Sequence, residues 1–520
     1  MNTRRATFGF IASTLFAFVA VADEPKHLGK IAFPNSGPAA AQDAFIEGVL
    51  YLHNFEYAEA GAAFKRAQEI DPDFAMAYWG DAMALNHSLW GRQSTTTARE
   101  VIEKLGKTTE QRAAKAPTQR EKDYIAAVEV LFGMTDVTKP LPKEQRDALY
   151  RDQMRRLHET YTDDNEATAF YGLSILGAGY GHRDYATYMR AAAVLTQVWD
   201  ANRLHPGAAH YLIHAYDDPV HAPLGLPMAR AYSKIAPSAA HAQHMTSHIF
   251  VAMGMWDDLV NANETAVLVE LKSAEESGAT AEASHYRYWL QYGYLQQGRI
   301  QKARELLAAA RAELDDNPTQ AEKMYYGAMY ARYQLDAGEV PADLRAPEGV
   351  EIVSPHYTFA QAYEAIQKNE LDKAQALIQN LNALSGGNPE VTLEPAVVDV
   401  LRKELNALLM YAGSEKDAAI SLLQEAAEDS TELPIKYGPP QMTKPAYEVL
   451  GEVLMLAEKP AEAVKAFERQ LESTPLRTST LVNQMKAAAA AGDTSKVTSI
   501  DSQLTANWRH ADFNTGQSNH

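Results

Sequence analysis

The chain has 520 residues, 46% hydrophobic and 22% charged, which is the composition of a folded protein with length for about three domains or one long array. A formal charge of −19 argues against coating nucleic-acid phosphates. Cysteine is absent, which removes disulfides, thiolate metal sites and cysteine nucleophiles, and leaves any borderline metal mainly to histidine.

Arg4 and Arg5 precede an almost uncharged apolar run from Phe8 to Val21, and Ala20-Val21-Ala22 supplies a small-x-small cleavage pattern. This reads as a bacterial export signal over residues 1–22, cleaved after Ala22, with the periplasm or exterior as the compartment. The run is too short for a stable membrane span. Residues 23–40 form a short extension. From Ala41 onward, alanine-rich segments carry apolar residues at i, i+3, i+4 and i+7, so helices are predicted throughout and a sheet is not.

A spacing recurs along this body. Gly48, Tyr51, Ala60, Phe64, Ala67 and Pro72 stand at intervals repeated by Leu290, Tyr294, Gly298, Ala303, Leu307 and Ala310. Tyr447, Leu450, Gly451, Leu454, Ala463, Phe467 and Pro475 repeat them again. Thr108–Arg120, Thr135–Glu144, Asp336–Pro355 and Ser385–Pro395 gather charge, Gly and Pro, and are expected interruptions. Lys444 and Glu448, four apart after a Gly-Pro-Pro turn, are expected as a solvated ion pair.

These residues resemble the tetratricopeptide (TPR) repeat, a 34-residue helical hairpin. The resemblance implies an all-α helical-hairpin solenoid over 41–504, followed by a polar tail over 505–520. The histidine-rich segment, the Met76–Trp90 stretch and the Tyr437–Glu452 stretch are similar to those of exported bacterial TPR proteins, a likeness that implies fold and not function. The repeat family reads ligands in a concave groove, at positions two, five, nine, twelve and thirteen of each repeat.

Seven of sixteen histidines fall between His205 and His248. His210 and His214 are one helical turn apart, as are His244 and His248, and the two pairs are offset by 34 residues. They are therefore repeat-equivalent and expected level on neighbouring helices, which pack about 8–10 Å apart. In the borrowed frame, His210 and His214 take positions five and nine, with Asp217 and Asp218 at twelve and thirteen. His241, His244 and His248 take two, five and nine. His285, Tyr288 and Tyr292 take the same three positions one repeat later, and Trp79, Asn86 and His87 face the groove in an earlier one.

Imidazoles from two such helices can converge on a transition-metal ion, Cu, Fe or Zn. His210, His214, His244 and His248 are the expected ligands, with His241 and His87 next. Asp217, Asp218 and Glu264 are candidate partners for their outer ring nitrogens. Trp79, Asn86, Asp217, Asp218, Tyr288, Tyr292 and His285 would line space for a small-molecule substrate, or for a protein or peptide. His53, His158 and His182 read as packing residues, His205 as a helix starter and His221 as part of a Pro-rich turn. A catalytic chain of this kind would run copper or iron redox chemistry, or use zinc-activated water. The other reading is a periplasmic scaffold whose groove takes a partner peptide without metal, or titrates as a pH sensor. No GxxxxGK[ST], GxSxG or HExxH pattern is present.

Overall fold

Alanine favours helix, and the stripes of apolar residues give each helix a face to bury, so packing sustains segments too short to be stable alone. The computed structural model describes residues 27–179, 184–315, 318–381, 384, 393–434, 436 and 438–513. The export signal, His182, Tyr437, residues 385–392 and the chain end from 514 lie outside the described residues. The described residues form twenty-four α-helices, with one two-stranded ladder, Asn86–His87 against Arg92–Gln93. The protein is an all-α, TPR-like superhelix. Among the described residues no helix is long and apolar enough to cross a membrane.

Ala39–His53 and Tyr57–Ile70 make the first hairpin. A Cβ on Gly48 would lie 2.8 Å from the Phe64 ring, and one on Gly80 of the following helix, Ala75–Met83, 2.2 Å from it. Phe64 is thus wedged between two helices that only glycine lets approach. Gly451 and Phe467 repeat the device, at 2.5 Å, near the C-terminus. Pairing continues along the chain, setting aside Thr109–Lys115 and Gln320–Ala337. The expected interruption Thr108–Arg120 holds the short helix Thr109–Lys115, which Thr108 caps, and ends where Thr118 caps the next helix. Arg112 of the short helix is buried on Glu129 at 2.5 Å.

The stack returns on itself at both ends. Near the N-terminus, Lys30 N–H donates to Leu204 O at 2.9 Å, and the Asn54 amide to Leu28 O at 3.1 Å. Near the C-terminus, Trp256 Nε1 donates to Leu476 O at 3.1 Å, and Asp512 N–H to Gly298 O at 3.2 Å. Residues 508–513 are therefore docked on the fold. Lys444 and Glu448 are buried, not solvated: Glu448 accepts from Arg477 Nε at 2.9 Å, and Lys444 lies 2.7 Å from Glu452. The i, i+4 spacing was read without the hairpin that covers this face.

Candidate functional site: a buried histidine cluster

Two helices carry the histidine pairs. Pro206–Ala215 starts at His205, whose Nδ1 accepts from Ala208 N–H at 3.1 Å, with Pro206 preset for the first turn. Ala240–Ala252 ends in a turn at Gly254, where φ is +66° and the chain reverses into Trp256–Ser277. The 34-residue offset sets the two pairs side by side. Ring centroids run His210–His214 4.9 Å, His214–His248 5.8 Å, His248–His244 5.0 Å, His244–His241 6.1 Å and His241–His210 5.0 Å. Five imidazoles form a closed circuit. His285, on Ser284–Gln296, joins at 4.4 Å from His244.

The hydrogen bonds fix which ring nitrogens face inward. His210 Nδ1 is 2.7 Å from the His53 carbonyl, which can only accept, so Nδ1 carries the proton. His244 Nδ1 is 2.7 Å from Asn263 Oδ1, and the Asn263 amide is oriented by donating to Leu259 O. His248 Nδ1 lies 2.6 Å from the Asp217 carboxylate. All three rings therefore turn Nε2 toward the cluster. His244 Nε2 and His248 Nε2 are 3.2 Å apart, His210 and His214 Nε2 3.1 Å, and His285 and His244 Nε2 2.9 Å. Two nitrogens bound at about 2.0–2.1 Å to one ion stand roughly 3 Å apart, so these spacings match shared ligation.

Burial pushes His210 and His244 well below the ordinary imidazole value, and neighbouring histidines push the same way, which keeps both rings neutral. The rings are sealed: exposure is 0% at His210 and His244, 3% at His248 and 5% at His214, with His241 and His285 half-buried. Phe55, in the turn of the first hairpin, lies 4.2 Å from His210, and Glu56 beside it accepts from His241 N–H at 3.1 Å.

A second group contrasts with this one. Glu166 takes His53 Nε2 at 2.7 Å and His205 Nε2 at 3.1 Å, while His53 Nδ1 meets Tyr211 Oη at 2.9 Å. Every ring nitrogen there has a hydrogen-bond partner. Burial opposes ionisation of Glu166, but the two imidazoles outweigh it and hold the carboxyl down to about 2. This group is complete as a hydrogen-bonded core.

The other expected residues separate. His87 is not in the cluster: the helix stops at Met83, the ladder replaces the assumed helical frame, and the ring stacks on Tyr57 at 3.9 Å. Trp79 is core, edge-on to Phe33, Tyr124 and Phe170. Asn86 accepts from Gln93 at 3.0 Å beside a small cavity that Tyr150 also lines. Tyr288 accepts from Arg332 at 2.8 Å, and Tyr292 packs on Trp256 at 5.7 Å. His285 moves from groove lining to the histidines. Asp218 holds His221, at 2.9 Å, and Glu264 turns away to Tyr294, at 2.6 Å. Asn263 serves instead, and its signal was available: it follows Leu259 by four and precedes Ala266 by three, on the buried stripe. Phe55, Trp289 and the His53 carbonyl carried no sequence signal.

Asp217 and Asp218 also border a cleft of about 500 Å³ that Trp256, Tyr292, Pro440 and Tyr447 line as well. The expected open groove is thus filled at the histidines and open at this cleft.

No family model matches the chain, and no curated protein is significantly similar to it. Among solved structures, it is similar to yeast Tom70, at 12% identity over 89% of this chain and 99% of that one, TM-score 0.33. It is similar to the APC/C hetero-tetramer Cut9-Hcn1, at 14% identity over 88% and 78%, TM-score 0.35. The P58(IPK) TPR domain gives 14% identity over 88% and 100%, TM-score 0.23. Likeness this distant says nothing of ligands or partners.

Proposed function

We propose that this TPR-like protein binds transition metal through the buried cluster of His210, His214, His241, His244, His248 and His285. The observation that carries the reading is the facing pair of His244 and His248. Both spend Nδ1–H on protein acceptors, so their two Nε2 atoms, the ring positions left for a ligand, face each other at 3.2 Å, a spacing that one cation can share. Outer hydrogen bonds from ligand imidazoles to a carboxylate, an amide oxygen and a carbonyl are the usual supports of metal-bound histidine. An all-imidazole donor set suits copper, zinc or iron. The ion would make the superhelix a metal-holding protein, with any substrate approaching past the half-buried His241 and His285.

Metal analysis of native, tag-free protein tests this. Bound metal is expected in the unaltered chain, and His210→Ala and His244→Ala variants that keep their far-ultraviolet circular dichroism should each hold less of it. Protein that neither carries metal nor takes up zinc would sink the proposal. A second reading, a scaffold for a partner segment, draws support from the cleft beside Tyr447 and Trp256, away from the sealed histidines. Arg4, Arg5 and the apolar run after them support export, which N-terminal sequencing of the secreted or periplasmic fraction would check.

A further inference from the structure

Resting on the reading above, we infer that the cluster is two quasi-equivalent three-histidine sites, one per repeat, and holds two ions. The first set is His210, His214 and His241, whose nearest ligand atoms all lie within 4.8 Å of one another. The second is His244, His248 and His285, a looser set centred on His244, whose Nε2 stands 3.2 Å from His248 Nε2 and 2.9 Å from His285 Nε2, while only the first set brings all three ligand atoms within 4.8 Å of one another. Each set is built the same way. A pair one turn apart comes from one helix, and the third ring comes from the start of the first helix of the next hairpin. His241 is the second residue of Ala240–Ala252, and His285 the second residue of Ser284–Gln296.

The surroundings repeat as well. Phe55 contacts all three rings of the first set, at 4.2, 6.0 and 5.7 Å for His210, His214 and His241. Trp289 does the same for the second, at 4.8, 4.4 and 5.9 Å for His244, His248 and His285. One apolar ring therefore closes over each set and lowers its dielectric. The sets touch through His214–His248 and His241–His244, at 5.8 and 6.1 Å between centroids, looser than most contacts within a set. Repetition of ligand positions, third-ring donor and apolar cover together marks a duplicated site. Three protein imidazoles are also the number that leaves a tetrahedral ion one position for water or another small donor.

The test is a count. Protein stripped by chelator, dialysed against Zn²⁺ and washed is assayed for zinc per chain by mass spectrometry. Two ions are expected in the unaltered chain, one in His241→Ala, one in His285→Ala, and none in the double variant, all with unchanged circular dichroism. One ion in the unaltered chain, lost in either variant, overturns the two-site inference and leaves metal binding standing. Two ions lost together in a single variant overturn it too. No zinc in the unaltered chain removes the proposed function itself. The count in the unaltered chain decides even if a variant misfolds.

Discussion

Asp217 reaches His248 Nδ1 at 2.6 Å from the turn that ends the preceding first helix. A carboxylate there raises the basicity of the opposite ring nitrogen and fixes its direction. Asp217→Asn keeps an oxygen acceptor but removes the charge, so zinc affinity should fall about 10–100-fold. Competition against a chromophoric chelator measures this, and an unchanged affinity would mean that His248 is not a ligand. The residue scale also shows where linear spacing fails. Glu264 and Asn263 are neighbours in the chain, yet a single step of about 100° around the helix separates a surface partner of Tyr294 from the support of His244.

Helix pairs set the next scale, and their glycines are not alike. Gly80 has the Phe64 ring 2.2 Å from where a Cβ would stand, whereas at Gly61 the nearest atom is Asp81 Oδ1 at 3.8 Å. Gly80→Ala should cost about 1–3 kcal/mol through overpacking. Gly61→Ala, inside Tyr57–Ile70, should gain up to about 1 kcal/mol from helix propensity. Urea denaturation of the two variants against the parent checks both signs. The hairpins themselves were legible, because a 34-residue period and an apolar stripe are local properties of the chain. The ladder at Asn86–His87 was not, since Gly91, at φ +63°, redirects the chain just where the helical frame was extended.

At the scale of the molecule, the C-terminal hairpins are locked to the middle by buried charge. Arg477 pairs with Asp336 at 2.5 Å and Glu448 at 2.9 Å, and Thr478 N–H donates to Gln296 at 2.8 Å. Glu448→Gln leaves Arg477 on Asp336 and Lys444 on Glu452 but loses charge-assisted bonds in a buried network, so it should cost about 1.5–3 kcal/mol. Thermal melts at neutral pH would show it. The acid limb follows from the same contacts. Burial opposes ionisation of Glu448, but Arg477 and Lys444 outweigh it and hold its carboxyl below the usual range, as the two imidazoles do for Glu166. A carboxyl whose folded pKa is depressed adds stability above its unfolded value that is lost as pH falls through the folded one. The melting temperature should therefore decline from about pH 4.5 toward pH 2, and Glu448→Gln should decline less steeply over that window. Parallel slopes would remove Glu448 from the account.

Alone, the amino-acid order determined the helices, the hairpin period, the absence of thiol chemistry and the level placing of two histidine pairs. Each is a matter of spacing along one helix or one repeat, so short-range geometry suffices. The closing of the stack was decided only in three dimensions. It brings Phe55 from the first hairpin and Trp289 from a later one over the rings, buries Lys444 and Glu448, and turns His285 onto His244. Such contacts join residues far apart in sequence, and they depend on the accumulated twist of many packed helices, which no local pattern encodes.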